Sequence, residues 1–407
     1  MTVEGRVRAS LRPGTALRLV VLLGVLSMLA DVTYEGARSI TGPFLATLGA
    51  SGLVVGVVAG FGELAGYLIR LVSGRAATGP GRIWAITLFG YALNLFAVPA
   101  LALAGNWPAA AALIVLERVG KGARVPPRDA MLSHATQEMG RGWGFGLHEA
   151  MDQTGALVGP LLVALVLARH HTDRTAFVLL IVPAVFALAV LLTARAQYPD
   201  PRELEVDDPG LDVGAGYPRS FWIYLAGASL TGAGFADFAL IAYHFQKSAV
   251  VSTDAVPLVY ALAMGVSGGA ALVLGRLFDR VGLAAVAVAA VVAAAFAPMV
   301  FYGDTAVAVA GIVCWGVGMG SQDSIIRAAV ATMIPADRRA RAYGVFNTGF
   351  GLAWFAGSAL MGLLYDASRP ALVAFSITAQ LAAIPFLLHV ARRLRRRAAD
   401  GPPAVVR

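Results

Sequence analysis

Long apolar stretches dominate the chain and recur at near-regular intervals, separated by short polar segments. Twelve can be drawn, over residues 16–46, 52–72, 82–104, 108–136, 142–168, 175–196, 218–246, 255–276, 282–301, 305–333, 341–366 and 370–391. Each approaches or exceeds the roughly 20 residues that a helix needs to cross a bilayer core. Backbone groups in lipid must bond within the segment, so these stretches are predicted to be helices. The expected fold class is an all-α integral membrane protein with 12 transmembrane helices. The long polar stretch from Gln197 to Pro218 is acidic and contains Pro199, Pro201 and Pro209. It predicts a flexible linker over 197–217 between six-helix bundles at 1–196 and 218–391, with a basic tail at 392–407.

Within the apolar stretches the ionisable residues are not scattered. Asp31, Glu35 and Arg38 stand at i, i+4 and i+7 in the first stretch, on one helical face. Glu63, Tyr67 and Arg70 repeat that spacing in the second. Glu117, Lys121, Arg124 and Arg128 form a longer stripe in the fourth, with Arg118 beside it. In the fifth, His148 and Asp152 are an i, i+4 pair flanked by Glu149. A charge facing lipid costs at least about 2.5–3.5 kcal/mol, so four striped helices predict an internal, water-filled cavity. Near the membrane surface, Arg70, Arg128, Asp129 and Arg141 read best as structural ion pairs. Nearer the midplane, Asp31, Glu35, Glu117, Arg118, Glu149 and Asp152 read best as functional. A buried carboxylate beside a cation is poised between its two protonation states. The expected proton carriers are therefore Asp152, Asp31, Glu35 and Glu149, tuned by Arg118. Arg38, Glu63, Tyr67, Glu117, Lys121 and His148 are candidates for holding a solute. The second half is more apolar, and its candidates are Asp237, Asn347 and Trp354.

Composition narrows the class. The 407 residues are 58% hydrophobic and 14% charged, with a mean hydropathy of +0.72. Soluble domains carry about a quarter charged residues. The net charge of +8 raises nucleic acid as a partner, but its distribution argues against one. Of 32 Arg and Lys residues, only Arg169, Arg174, Lys247 and Arg369 fall in loops predicted to face outward. That asymmetry predicts cytoplasmic termini and a cytoplasmic-membrane location. The run Arg392-Arg393-Leu394-Arg395-Arg396-Arg397 then reads as a topology anchor on anionic lipid. The basic start (Arg6, Arg8, Arg12) enters the first stretch without a small-residue cleavage site, so no cleavable signal is expected. The single cysteine, Cys314, excludes an internal disulfide or a multi-cysteine metal cluster. There is no G-x-x-x-x-G-K-S/T phosphate loop and no nucleophile–base pair at catalytic spacing. No cofactor is implied, and an enzyme is not expected.

Two short basic segments carry a resemblance. Gly275-Arg276-Leu277-Phe278-Asp279-Arg280-Val281-Gly282 is expected to be a membrane-surface loop, and Gly74 to Arg82, including Gly81, is an earlier copy about 200 residues upstream. They resemble the G-x-x-x-D-R/K-x-G-R/K loop of the major facilitator superfamily, with Leu283 at the last basic position and Thr78 at the first copy's acid. Gly144-Phe145-Gly146 and Gly344-Val345-Phe346 add a second repeat at the same separation. Ile114-x-x-x-Arg118-x-x-Lys121-Gly122 resembles the family's fourth-helix element, whose arginine is tied to proton transfer; Lys121 replaces its glutamine. Gly146, Gly155, Gly159 and Pro160 resemble the fifth-helix antiporter element without its last two glycines.

The resemblance implies two pseudo-symmetric six-helix bundles working as a monomer by alternating access. It implies latch or gating roles for Gly74, Gly81, Arg82, Gly275, Arg276, Asp279, Arg280 and Gly282. The function implied is proton-coupled export of a small amphiphilic organic molecule. The alternative is proton symport of an anionic or zwitterionic metabolite, held by Arg38, Arg118 and Lys121. Pro126 and Pro127 are expected to break or kink the fourth helix.

Overall fold

The computed structural model describes residues 13–77, 82–135, 141–170, 172–199, 216–334 and 339–399, and every long element among them is an α-helix. They are α1 (Pro13–Thr47), α2 (Gly52–Ala76), α3 (Arg82–Ala100), α4 (Trp107–Ala135), α5 (Arg141–His170), α6 (Asp173–Leu179), α7 (Ile181–Gln197), α8 (Arg219–Ala233), α9 (Phe238–Ser248), α10 (Val256–Val281), α11 (Ala284–Ala294), α12 (Phe296–Tyr302), α13 (Thr305–Met333), α14 (Arg339–Ala367) and α15 (Arg369–Ala399). Among the described residues, eleven segments are long and apolar enough to cross a membrane. The α4 helix, at 29 residues, has the length of a twelfth, but its many charges lower its hydropathy. Exposed Phe89, Val72, Leu103, Phe186 and Leu272 give the exterior the apolar character that lipid requires.

Several expected features take a different form. The 275–282 segment is not a loop: α10 continues to Val281 and ends at Gly282, whose φ of 63° suits a residue without Cβ. The Gly282 amide closes the last turn on the Phe278 carbonyl at 2.7 Å. Nor do Pro126 and Pro127 break α4, which runs through both. Proline at 126 removes the N–H that would bond the Gly122 carbonyl, and the Ser73 hydroxyl of α2 donates to that carbonyl instead at 3.3 Å. The seventh expected helix is divided at Gly234–Asp237 into α8 and α9. The segment 78–81, with Gly81, and most of the expected linker lie outside the described residues.

The chain divides into two compact units, residues 1–40 with 65–208 and residues 41–64 with 209–407. In the first unit, Leu19, Leu23, Leu26, Tyr91, Leu95, Met131, Ala187 and Leu191 form a dry core among α1, α3, α4 and α7. Close helix contacts explain the glycines. A methyl group at Gly120 would overlap the backbone of Asn94, and one at Gly90 would lie 2.7 Å from the Arg124 amide nitrogen. Small residues at such crossings let helices in lipid approach to backbone contact.

In the second unit, residues 41–64 are held by the same device. Gly42 meets Ala239, Gly56 meets Ser358, and Gly60 meets Phe355. The Asp366 carboxylate accepts from the Gly52 and Leu53 amides at 2.9 and 2.8 Å, satisfying two donors at the start of α2. Tyr243 donates to the Ala50 carbonyl at 3.1 Å.

Candidate functional site

The expected stripes converge inside the first unit, on α1, α4 and α5. On α1, the i, i+4, i+7 spacing turns Asp31, Glu35 and Arg38 inward, where all three are buried. On α4, Glu117, Arg118 and Arg124 are buried, with Lys121 and Arg128 partly so. On α5, His148 is buried and Asp152 is half-buried. The glycines at 155 and 159 set how near α5 can come. A Cβ at Gly155 would overlap the Met28 carbonyl and lie 2.9 Å from Asp31 Cβ, and one at Gly159 would lie 2.9 Å from the Gly36 amide nitrogen. Without side chains there, α5 rests directly on the face of α1 that carries Asp31.

The ion pairs are long. Arg124 Nη2 lies 3.9 Å from Asp31 Oδ1, and Arg128 Nη1 lies 3.8 Å from Asp152 Oδ2. His148 Nδ1 is 3.7 Å from the same Asp152 oxygen, while Asp152 Oδ1 is buried without a hydrogen-bond partner. Asp31 and Asp152 lie within electrostatic reach of each other. Ser27 ties the group together: Arg128 donates to its hydroxyl at 2.9 Å, and His148 Nε2 is 3.1 Å from it.

A second cluster adjoins the first. Glu35 pairs with Arg38 and Lys121, each at 3.9 Å, and Lys121 Nζ sits 3.8 Å above the Tyr34 ring. Arg118 Nε is 3.4 Å from Glu117 Oε2, and Asn94 donates to Glu117 Oε1 at 2.7 Å. The three cations expected to grip a metabolite anion, Arg38, Arg118 and Lys121, are thus engaged by carboxylates. Arg118 pairs with Glu117, whereas Asp31 and Asp152 face Arg124 and Arg128.

The other expected residues have these surroundings. Glu149 lies on the exposed side of α5, where its carboxylate accepts from Gln153 at 3.2 Å. Glu63 and Tyr67 are half-buried on α2, with Arg70 over the Tyr67 ring at 5.2 Å. Asp237 caps α9, accepting from the Ala239 amide at 3.1 Å. Asn347 is half-buried on α14. Trp354 packs its ring against Phe235 and Phe350, with both centroids 5.8 Å away. Gly74 ends near Pro126, Arg82 begins α3 exposed, Gly146 and Pro160 are helical in α5, and Gly275, Asp279 and Arg280 belong to α10.

Spacing alone misses Ser27, Tyr34, Tyr91 and Asn94. Each is polar or amphipathic on an apolar stretch, and that is the signal that could have marked them. Among the described residues no group of His, Cys, Asp and Glu could hold a metal ion.

Comparison with known proteins agrees with this architecture. The model of the Major Facilitator Superfamily matches residues 23–358 and 309–405. An uncharacterized protein of Mycobacterium tuberculosis is 42% identical over 382 residues, spanning 92% of this chain and 93% of its own. A bacterial homologue of the human lysosomal transporter Spinster, solved inward-facing and unoccupied, superposes with a TM-score of 0.71 at 13% identity, over 95% of this chain and 99% of that one. A peptide transporter gives 0.71 at 15% identity, over 93% and 95%. At such identities the likeness shows the fold alone. Eleven membrane-length apolar segments among the described residues, the 29-residue α4 beside them, and a family match across nearly the whole length together establish that this multi-pass membrane protein belongs to the Major Facilitator Superfamily.

Proposed function

We propose that this chain is a secondary active transporter that couples the movement of a small organic molecule to protons, with Asp31 and Asp152 as the groups that take up and release them. One observation carries the reading: two carboxylates on helices in backbone contact each have an arginine at ion-pair distance, the buried Arg124 at 3.9 Å and the half-buried Arg128 at 3.8 Å. A carboxylate so placed gains from the cation when ionised and loses hydration on burial, so a small change in access shifts its proton. Glu35 adds a third acid to the same face. Positive-inside charge supports a cytoplasmic-membrane location with both termini inside, and a single chain holds the whole proposed site.

Export of an amphiphilic molecule in exchange for protons is the direction that the α5 glycine element supports. Symport of an anionic or zwitterionic metabolite is the second reading. The observation favouring it is Arg124, two of whose buried nitrogens have no hydrogen-bond partner.

The test uses everted membrane vesicles with an imposed inside-acid gradient, challenged with lipophilic cations, antibiotics and organic acids. Collapse of the gradient in wild type and not in Asp152→Asn is the result expected for antiport. Gradient-driven accumulation in right-side-out vesicles, lost in the same variant, is expected for symport. Facilitated equilibration with no proton movement in either preparation contradicts proton coupling.

A further inference from the structure

Arg124 is the most deeply buried charged group of the site, with 1% of its side chain exposed. Its guanidinium lies 4.4 Å over the Tyr91 ring and 5.7 Å from the Tyr34 ring. Nη2 reaches Asp31 only at 3.9 Å, and Nε and Nη1 have no hydrogen-bond partner. The Tyr91 hydroxyl, a donor on a fully buried residue of α3, is also unpartnered, while the Asn94 side-chain oxygen is a buried acceptor without a donor. Buried donors left without acceptors are costly, and charged ones more so. A guanidinium is the side chain best matched to a carboxylate or phosphate. The site therefore holds unused donors of the kind that recognise an oxyanion.

We propose that Arg124 docks a negatively charged oxygen group of the cargo, so that the cargo is an organic anion, and that protonation of Asp31 frees the guanidinium to take it. This rests on the proton-coupled reading at Asp31 and names the cargo class for that site. The groups around Arg124 are Asp31 and Tyr34 on α1, Tyr91 on α3, Lys121 and Arg128 on α4 itself, and His148 and Asp152 on α5. With Asp31 ionised, the pair is neutral and a second anion meets repulsion. With Asp31 protonated and the site empty, a buried cation is uncompensated, which is strongly unfavourable. An anion restores neutrality. The two favoured loadings are therefore empty with Asp31 ionised, and anion-bound with Asp31 protonated. Cycling between them carries a proton and an anion in the same direction, which is the symport reading of this site.

The test is thermal unfolding of the purified full chain in detergent, at pH 5.5 and pH 8.5, with acetate, benzoate or inorganic phosphate against chloride at equal ionic strength. Tetraphenylphosphonium serves as the cationic control. Wild type is expected to gain about 2 °C or more from at least one oxyanion at the lower pH and little at the higher. Asp31→Asn, a neutral mimic of the protonated acid, should gain at both. Arg124→Gln should gain at neither, and Arg124→Lys, which keeps the charge if the glutamine variant fails to fold, should retain part of the gain. An oxyanion gain in wild type that is the same at both pH values and lost in Arg124→Gln keeps the anion site and overturns the proton link at Asp31. No oxyanion gain at pH 5.5, a gain that persists in Arg124→Gln, or a larger gain from tetraphenylphosphonium overturns the anion site.

Discussion

Glu149 and Asp152 lie three residues apart on α5 and meet different surroundings. Asp152 faces Arg128 and His148, while Glu149 lies on the exposed side beside Gln153. Asp152→Asn is expected to lose gradient-driven transport by at least about tenfold, equivalent to 1.4 kcal/mol, while Glu149→Gln loses much less. Equal losses, measured as initial uptake or efflux rates in vesicles, would place the exposed acid in the proton path. Residue spacing showed which positions share a face, so the stripe Asp31–Glu35–Arg38 was legible. What faces each stripe was not, because that depends on the rotation of a neighbouring helix. The sequence alone pointed to Arg118 as the tuning cation, whereas the structure sets Arg124 and Arg128 beside the two aspartates. Ser27 escaped notice because a lone serine in an apolar run gives no periodic signal; its hydrogen-bonding position exists only once α4 and α5 are packed on α1.

At the scale of the helix, proline and glycine act through the backbone atoms they expose. Pro126 leaves the Gly122 carbonyl without its helical donor, and Ser73 supplies one from α2. Ser73→Ala should therefore destabilise the protein by about 1–3 kcal/mol, read as a lower unfolding temperature in detergent; an unchanged temperature would mean that water replaces the hydroxyl. Gly155→Leu should do more harm. Its side chain would force α5 away from Met28 and Asp31, with a cost above the roughly 1–3 kcal/mol of ordinary overpacking. Folded but fully coupled Gly155→Leu protein would contradict the view that this contact positions Asp31 against Asp152. Removing the Asp366 cap at the start of α2, by Asp366→Ala, should cost about 0.5–2 kcal/mol. Helix positions were legible in the apolar pattern to within a few residues, but helix ends and breaks were not. Apolar residues continue through Gly234–Asp237, and it is the local bonding of Asp237 to the Ala239 amide that starts a new helix there. The segment 275–282 looked like a loop because it is charged, yet charged side chains do not prevent helical backbone bonding, and only Gly282 turns the chain.

For the whole molecule, the duplicated segments about 200 residues apart and the twelve apolar stretches made the family legible before any coordinates. The cargo was not, because the fold serves many solutes and the groups that select one are few side chains among many. The central claim is that proton and cargo movement are coupled through Asp31 and Asp152. The most direct measurement places the purified protein in proteoliposomes with a cargo found in the vesicle screen and records uphill accumulation under a pH gradient alongside exchange at equilibrium. The account predicts that Asp31→Asn and Asp152→Asn abolish gradient-driven accumulation while retaining exchange. Uphill accumulation at wild-type levels in both variants would contradict it.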